Sequence, residues 1–265
     1  MADAPTPAPA PVSTDNSFSR MFGVIFSPKP TFESIAKRPT WALPLIIFVF
    51  VGFAATTVIT QRVGWRAVID REIASSPKAQ QRLEQLPPEK RDQALNGQAK
   101  ITPYIVYAIN VLFPFVGAVI VAAVLLLAFN VIGGARINFK TSLAVVAYSW
   151  IPLLIAGLLG ILILFLKDPS TVDVKNLVAS NPGALLPDDS SKALVSLLSS
   201  LDLFSFWTMI LMAVGYCAAD PKKISFAKAL GMVVAVWLLF VMVKVGWVAA
   251  FPCYTRSDGV APRRI

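Results

Sequence analysis

Trp41-Ala-Leu-Pro-Leu-Ile-Ile-Phe-Val-Phe-Val-Gly-Phe-Ala-Ala-Thr-Thr-Val-Ile59 is a run of 19 residues without a charge. At 1.5 Å per helical residue it covers about 28 Å, the thickness of a bilayer's hydrocarbon core. The approach to it is amphipathic. Phe18, Met21, Phe22, Ile25 and Phe26 recur at the spacing of one helix face, with Ser19 and Arg20 off that face. Ser27-Pro-Lys-Pro-Thr-Phe32 punctuates the chain, and Lys37-Arg38 closes a short second turn whose inward residues are Phe32, Ile35 and Ala36. The pattern predicts an interfacial anchor over 18–40 that lies on the membrane, followed by a first span over 41–59.

Composition agrees with a lipid solvent. Hydrophobic residues make up 56% of the 265 and charged residues 15%, with a mean hydropathy of +0.66; a soluble chain carries about 25% charge. Four further apolar runs follow, near 104–132, 142–166, 201–218 and 226–251. Residues 41–251 thus form an all-α membrane protein, a five-helix bundle with short helical loops outside the bilayer. Residues 1–17 read as a disordered Pro/Ala-rich tail and 252–265 as a short basic tail. The long polar stretch 61–102 reads as several short helices: one continuing the first span with Trp65, Ile69 and Ile73 inward, one starting at Ser76-Pro77, and one starting at Pro87-Pro88 and stopped by Asn96-Gly97. Pro114 and Pro152 predict kinks, with Ser149 placed to satisfy a carbonyl freed at Pro152. Asp188, Asp189 and Ser190 predict the start of a helix that continues unbroken through the fourth span to Ala219.

The composition also excludes chemistry. The chain has no His, which removes Ser-His-Asp triads, HExxH zinc sites and imidazole bases. No phosphate-cradling, nucleophile-elbow, CxxC or dinucleotide motif occurs in a usable context. Neither a cofactor nor a metal is expected, and enzymatic activity is not. Cys217 and Cys253 end two different spans, on opposite sides of the membrane, and each reads as a small hydrophobe. The net charge of +9 is spread over loops without interleaved aromatics, so its expected partner is the bilayer headgroup layer and not nucleic acid.

The candidates for a polar site are few. Asp202 is the one carboxylate at or inside a span, and a carboxylate at the bilayer centre costs about 2.5–3.5 kcal/mol. It reads either as a functional acid or as a cap on its own helix. Lys244 is the one cation well inside a span, within snorkelling reach of the surface. Both lie toward the same side, so the pair is expected to meet, each charge compensating the other. Tyr148, Trp150 and Pro152 are a candidate crevice at the predicted kink. Ala156 with Gly160, and Ala227 with Gly231 and Ala235, are small-residue repeats suited to close helix contact.

A family resemblance rests on scattered residues over about 18–250. They are Ser27-Pro28 with Thr31-Phe32, Trp41 with Pro44-Leu45, Ala147-Tyr148-Ser149 with Ile151-Pro152, Asp202-Leu203-Phe204 with Trp207 and Leu211, and Ser225 with Lys228-Ala229. In these the chain resembles the bacterial branch of the Yip1-domain membrane proteins. The resemblance implies five spans, a cytoplasmic N-terminus and a role in organising membranes or partner proteins. Eukaryotic relatives bind Rab-type GTPases and carry an Asp-Leu-x-Gly-Pro type stretch near their N-terminus. Nothing like it precedes Trp41, so GTPase binding is not carried over. Expected partners are the lipid bilayer and other membrane proteins or further copies of the chain. Charge supports a cytoplasmic N-terminus through the compact basic turns at Arg136–Lys140 and Lys222–Lys228, although the long loops opposite hold more cations diluted by acids. The expected location is the bacterial cytoplasmic membrane. The competing reading is a small-solute or lipid transporter, with Asp202, Lys244 and the kinked spans lining its path.

Overall fold

The computed structural model describes residues 16–250 except 75, 171, 188 and 189. The tails and Cys253 lie outside these residues, as do two of the three predicted cap residues, Asp188 and Asp189. Eleven α-helices are formed among the described residues. A short hairpin comes first, α1 (Ser17–Phe26) and α2 (Pro28–Lys37). Its start is set by Asn16, whose side chain accepts from the Ser19 amide at 2.7 Å, so the helix takes in the last residue of the expected tail.

The first span is α3 (Ala42–Val58), widened at its end by a π-helical turn over Ile59–Val63. It does not continue into the next helix as expected. Gly64 adopts φ +79°, a conformation that side-chain-bearing residues avoid, and redirects the chain into α4 (Trp65–Ala74). Trp65 and Ile69 are buried there as predicted. After α5 (Pro77–Glu84) comes α6 (Pro88–Leu127), 40 residues long. Its length of about 60 Å is twice a bilayer core, so its first turns stand clear of the membrane beside α4. The expected stop at Asn96-Gly97 is absent: Asn96 accepts a hydrogen bond from Arg66 of α4 at 2.8 Å instead of terminating its helix. Arg66 also reaches Asp70 and Asp92, both at 3.0 Å, and these two carboxylates raise its affinity for its proton.

The third span breaks where Pro152 predicted, at Trp150, into α7 (Phe139–Ser149) and α8 (Ile151–Leu166). Ser149 does not satisfy the break, since its hydroxyl is buried without a partner. The predicted continuous helix through the fourth span is broken too, into α9 (Lys192–Leu198) and α10 (Leu203–Ala219), which meet at a 48° bend. The last span is α11 (Phe226–Ala250). Among the described residues four helical stretches are long and apolar enough to cross a membrane alone, and the bent pair α9 and α10 makes a fifth crossing if its two helices form one span.

The centre of the bundle is α7. Every residue from Thr141 to Pro152 is buried, enclosed by α2, α6 and α10. Tyr216 of α10 stacks flat on Phe129 at 4.1 Å, and its hydroxyl meets Ser142 at 2.5 Å, which in turn donates to the Ala122 carbonyl at 2.8 Å. The lipid-facing surface is apolar in the opposite sense to a soluble protein: Phe50, Leu112, Phe113, Leu166 and Phe240 are each more than 60% exposed. The chain is therefore an all-α membrane bundle.

Candidate functional site

The anchor helix is built differently from a free amphipathic helix. Phe18, Phe22 and Phe26 point outward, 59%, 53% and 80% exposed, whereas Met21 and Ile25 of the same predicted face lean against the core. The other side of α1 is not solvated. Arg20 is 3% exposed and donates to the Arg38 carbonyl at 2.8 Å, the Ser34 hydroxyl at 2.9 Å and the Thr40 hydroxyl at 3.2 Å. Its guanidinium thereby satisfies carbonyl and hydroxyl acceptors at the end of α2, where a cation also suits the helix dipole. Next to it, Phe32 and Ile35 of α2 are fully buried. Phe32 lies over Gly215 of α10, where a Cβ would come 3.0 Å from the Phe32 ring and 2.5 Å from Val145 of α7. The missing side chain at 215 is what lets α2, α7 and α10 meet.

Tyr148 does not line a crevice. It is fully buried, and its hydroxyl donates to the Ser17 carbonyl and meets the Thr40 hydroxyl, each at 3.2 Å. It thus joins the central helix to both ends of the hairpin. Trp150 packs edge-on against Phe48 at 5.9 Å and covers Gly117, and Pro152 is buried. These three residues fill the core because the break at Trp150 folds the aromatic rings inward against α3 and α6.

Asp202 and Lys244 approach the same break in the fourth span but do not pair. Asp202 is the N-cap of α10. It accepts from the Ser205 amide at 2.9 Å, from the Ser205 hydroxyl at 3.2 Å, and from the Ser180 hydroxyl. Lys244 sits at the other end of the break, donating to the Ser200 hydroxyl at 3.1 Å and the Ser196 carbonyl at 3.4 Å past the end of α9. The acid stabilises a helix start and the cation a helix end, the arrangement that the helix dipole favours. The Ser205 amide in the first turn of α10 holds the carboxylate more closely than a lysine on a neighbouring helix.

The small-residue repeats divide. Gly160 is buried, but it receives Leu177 of the following loop and not a helix; the close helix contact is made one turn earlier, where a Cβ at Gly157 would come 3.0 Å from Val51 of α3. Ala156, next to Gly157, stands in the wall of a cavity. Ala227, Gly231 and Ala235 all face outward, and nothing lies within 4 Å of a Cβ added at Gly231. The face of α11 that packs inside the chain carries Ala229, Val233 and Val241.

Polar residues unremarked in sequence also join the spans. Asn110 of α6 donates to the Thr56 hydroxyl at 2.7 Å and to the Gly52 carbonyl at 3.1 Å, and Tyr107 meets Thr57 at 2.9 Å. At the end of the bundle near α4, Arg71 clamps the Pro169 and Ser170 carbonyls, both at 2.9 Å. Asp168 there takes the Ser170 hydroxyl and amide, which hold its carboxyl below the usual carboxylate range. The half-buried Cys217 carries no disulfide, and no group of three or more metal-ligating side chains gathers among the described residues.

A polytopic helical membrane protein with a docked N-terminal hairpin is the class these elements define. A family model described as the Yip1 domain matches residues 22–248, and the chain belongs to that family. Comparison with curated proteins and with solved structures returns no match.

Proposed function

We propose that this Yip1-domain protein acts without catalysis, organising the bilayer and the proteins within it. The observation that carries the reading is the phenylalanine stripe of α1, exposed on a helix whose opposite side is locked into the bundle by Arg20. A free amphipathic helix samples many depths and leaves the surface again; a docked one holds three rings at one depth in one leaflet. Shallow one-sided insertion spreads that leaflet's headgroups and bends the sheet. Lys29, Lys37, Arg38, Arg136, Lys140 and Lys222 surround the same end, all exposed, where each contributes up to about 1 kcal/mol toward an anionic surface. This crowding supports a cytoplasmic N-terminus and a bacterial inner-membrane location. Partner helices or further copies approach along the outward Ala227, Gly231 and Ala235 stripe.

The test is reconstitution into liposomes followed by electron cryomicroscopy. Wild type narrows or tubulates the vesicles, and a Phe18→Ser, Phe22→Ser, Phe26→Ser triple variant inserts and folds but leaves them round. Equal vesicle shapes for the two proteins sink the reading. The broken fourth span favours one alternative, passage of a small solute or lipid, since interrupted helices expose backbone and charges at membrane depth. On that alternative Asp202→Asn stops flux in proteoliposomes while crosslinked partners are recovered unchanged.

A further inference from the structure

Two cavities lie one above the other beside the break in the fourth span. The outer one, about 400 Å³, is an open pocket bordered by the first turn of α10, α8 around Gly160 and the loop over 174–181. Its walls carry Asp202, Ser180, Ser199, Ser205, Asn176 and Asn181. The inner one, about 210 Å³, lies between α3, α6 and α8 and is lined by Phe48, Phe113, Pro114 and Leu153 with the single amide of Asn110. Ala55 and Gly157 belong to the walls of both. Along α8 the step from Gly160 to Leu153 is about 10 Å, directed toward the middle of the bilayer. An open pocket that carries these polar groups thus adjoins an apolar slot, sharing Ala55 and Gly157 with it, in the order of a lipid's head and tail.

The polar chamber is suited to one kind of head. Asp202 brings a negative charge, and no ion pair reaches it among the described residues. Lys244 is not in the chamber wall, and its hydrogen bonds go to Ser200 and Ser196. Three bonds to Ser180 and Ser205 leave the carboxylate with accepting capacity, beside further hydroxyl and amide oxygens. A carboxylate that has no ion pair attracts a cation. The chamber has one aromatic ring, Phe204, not the cage that holds a quaternary ammonium. Oxygen acceptors favour an ammonium that can donate hydrogen bonds.

We infer that the paired cavities bind a lipid through a primary ammonium head held by Asp202, with its chain in the slot between α3, α6 and α8. The inference does not depend on the membrane-bending reading, which concerns the opposite end of the bundle.

The full chain is reconstituted in phosphatidylcholine and phosphatidylglycerol vesicles with a trace of photoactivatable phospholipid, its diazirine on the acyl chain and its head ethanolamine, choline or glycerol. Labelled peptides are mapped by mass spectrometry. The ethanolamine probe should label Phe48–Ala55 and Ile109–Pro114 about five- to tenfold above the other two, the factor that one charge-assisted hydrogen bond supplies. Asp202→Asn, which keeps a good cap, should bring it down to the choline level. Ala55→Phe, which plugs the passage, should clear the label from the slot, and it carries the test if Asp202→Asn does not fold. Equal labelling by all three heads, preference for glycerol, or labelling indifferent to Asp202→Asn overturns the inference. Complete displacement by free ethanolamine overturns its lipid half, leaving a site for soluble amines.

Discussion

Phe32→Ala should detach the N-terminal hairpin from the bundle. The ring is fully buried between α10 and α7, and emptying such a site costs about 3–5 kcal/mol. The neighbours cannot close over the hole, because Gly215 has no side chain to move into it and Val145 sits on the central, wholly buried helix. In detergent or nanodiscs the variant should melt earlier and free the backbone of α2, so that trypsin cuts after Lys37 before any cut in the spans, Lys29 and Arg38 each being followed by proline. An unchanged melting temperature with unchanged protection would mean that α2 is not held by this contact. Gly215→Leu should give the same cleavage pattern from the other side of the joint, since even its Cβ would stand 2.5 Å from Val145.

Arg20→Met should cost nearly as much, for a different reason. Methionine approximates the length of the arginine stem and preserves packing, but the Arg38 carbonyl and the Ser34 hydroxyl lose the guanidinium as donor, while Thr40 keeps the one from Ser17. Each unsatisfied buried polar group costs about 1–3 kcal/mol, so a total near 3 kcal/mol is expected. Arg20→Lys should recover less than half of it, because an ammonium cannot spread donors over acceptors as a planar guanidinium does. Thermal melts of the three proteins in one lipid give the ranking wild type, lysine, methionine; a lysine variant equal to wild type would show that charge alone suffices. These two variants also bear on the phenylalanine stripe, for either should free α1 to leave the surface and weaken vesicle remodelling with the stripe intact.

Much of the fold was legible in the residues. Uncharged runs such as 41–59 have one physical use, burial in hydrocarbon, so a helical bundle apolar enough for a membrane was readable from them. Pro152 marked its break, whereas Pro103 and Pro114, the second of them also read as a kink, are carried inside α6 without ending it, and Phe18, Phe22 and Phe26 marked an exposed stripe by their period alone. Other features needed the assembled bundle. A helix apolar all round carries no record of which side will meet protein and which lipid, so the stripe at Ala227, Gly231 and Ala235 read as a packing face although Ala229 and Val233 took that role. Arg20 read only as a residue off the apolar face, because its acceptors come from a second helix that folds back over it. Asp202 and Lys244 are close enough by topology to pair, yet each is held nearer at hand, one by the first amides of α10 and one by the last polar groups of α9. Local periodicity and charge determined that this chain is a multi-pass helical membrane protein. Tertiary packing decided which polar groups satisfy one another, since in a low-dielectric interior the nearest partner wins and nearness is a property of the fold.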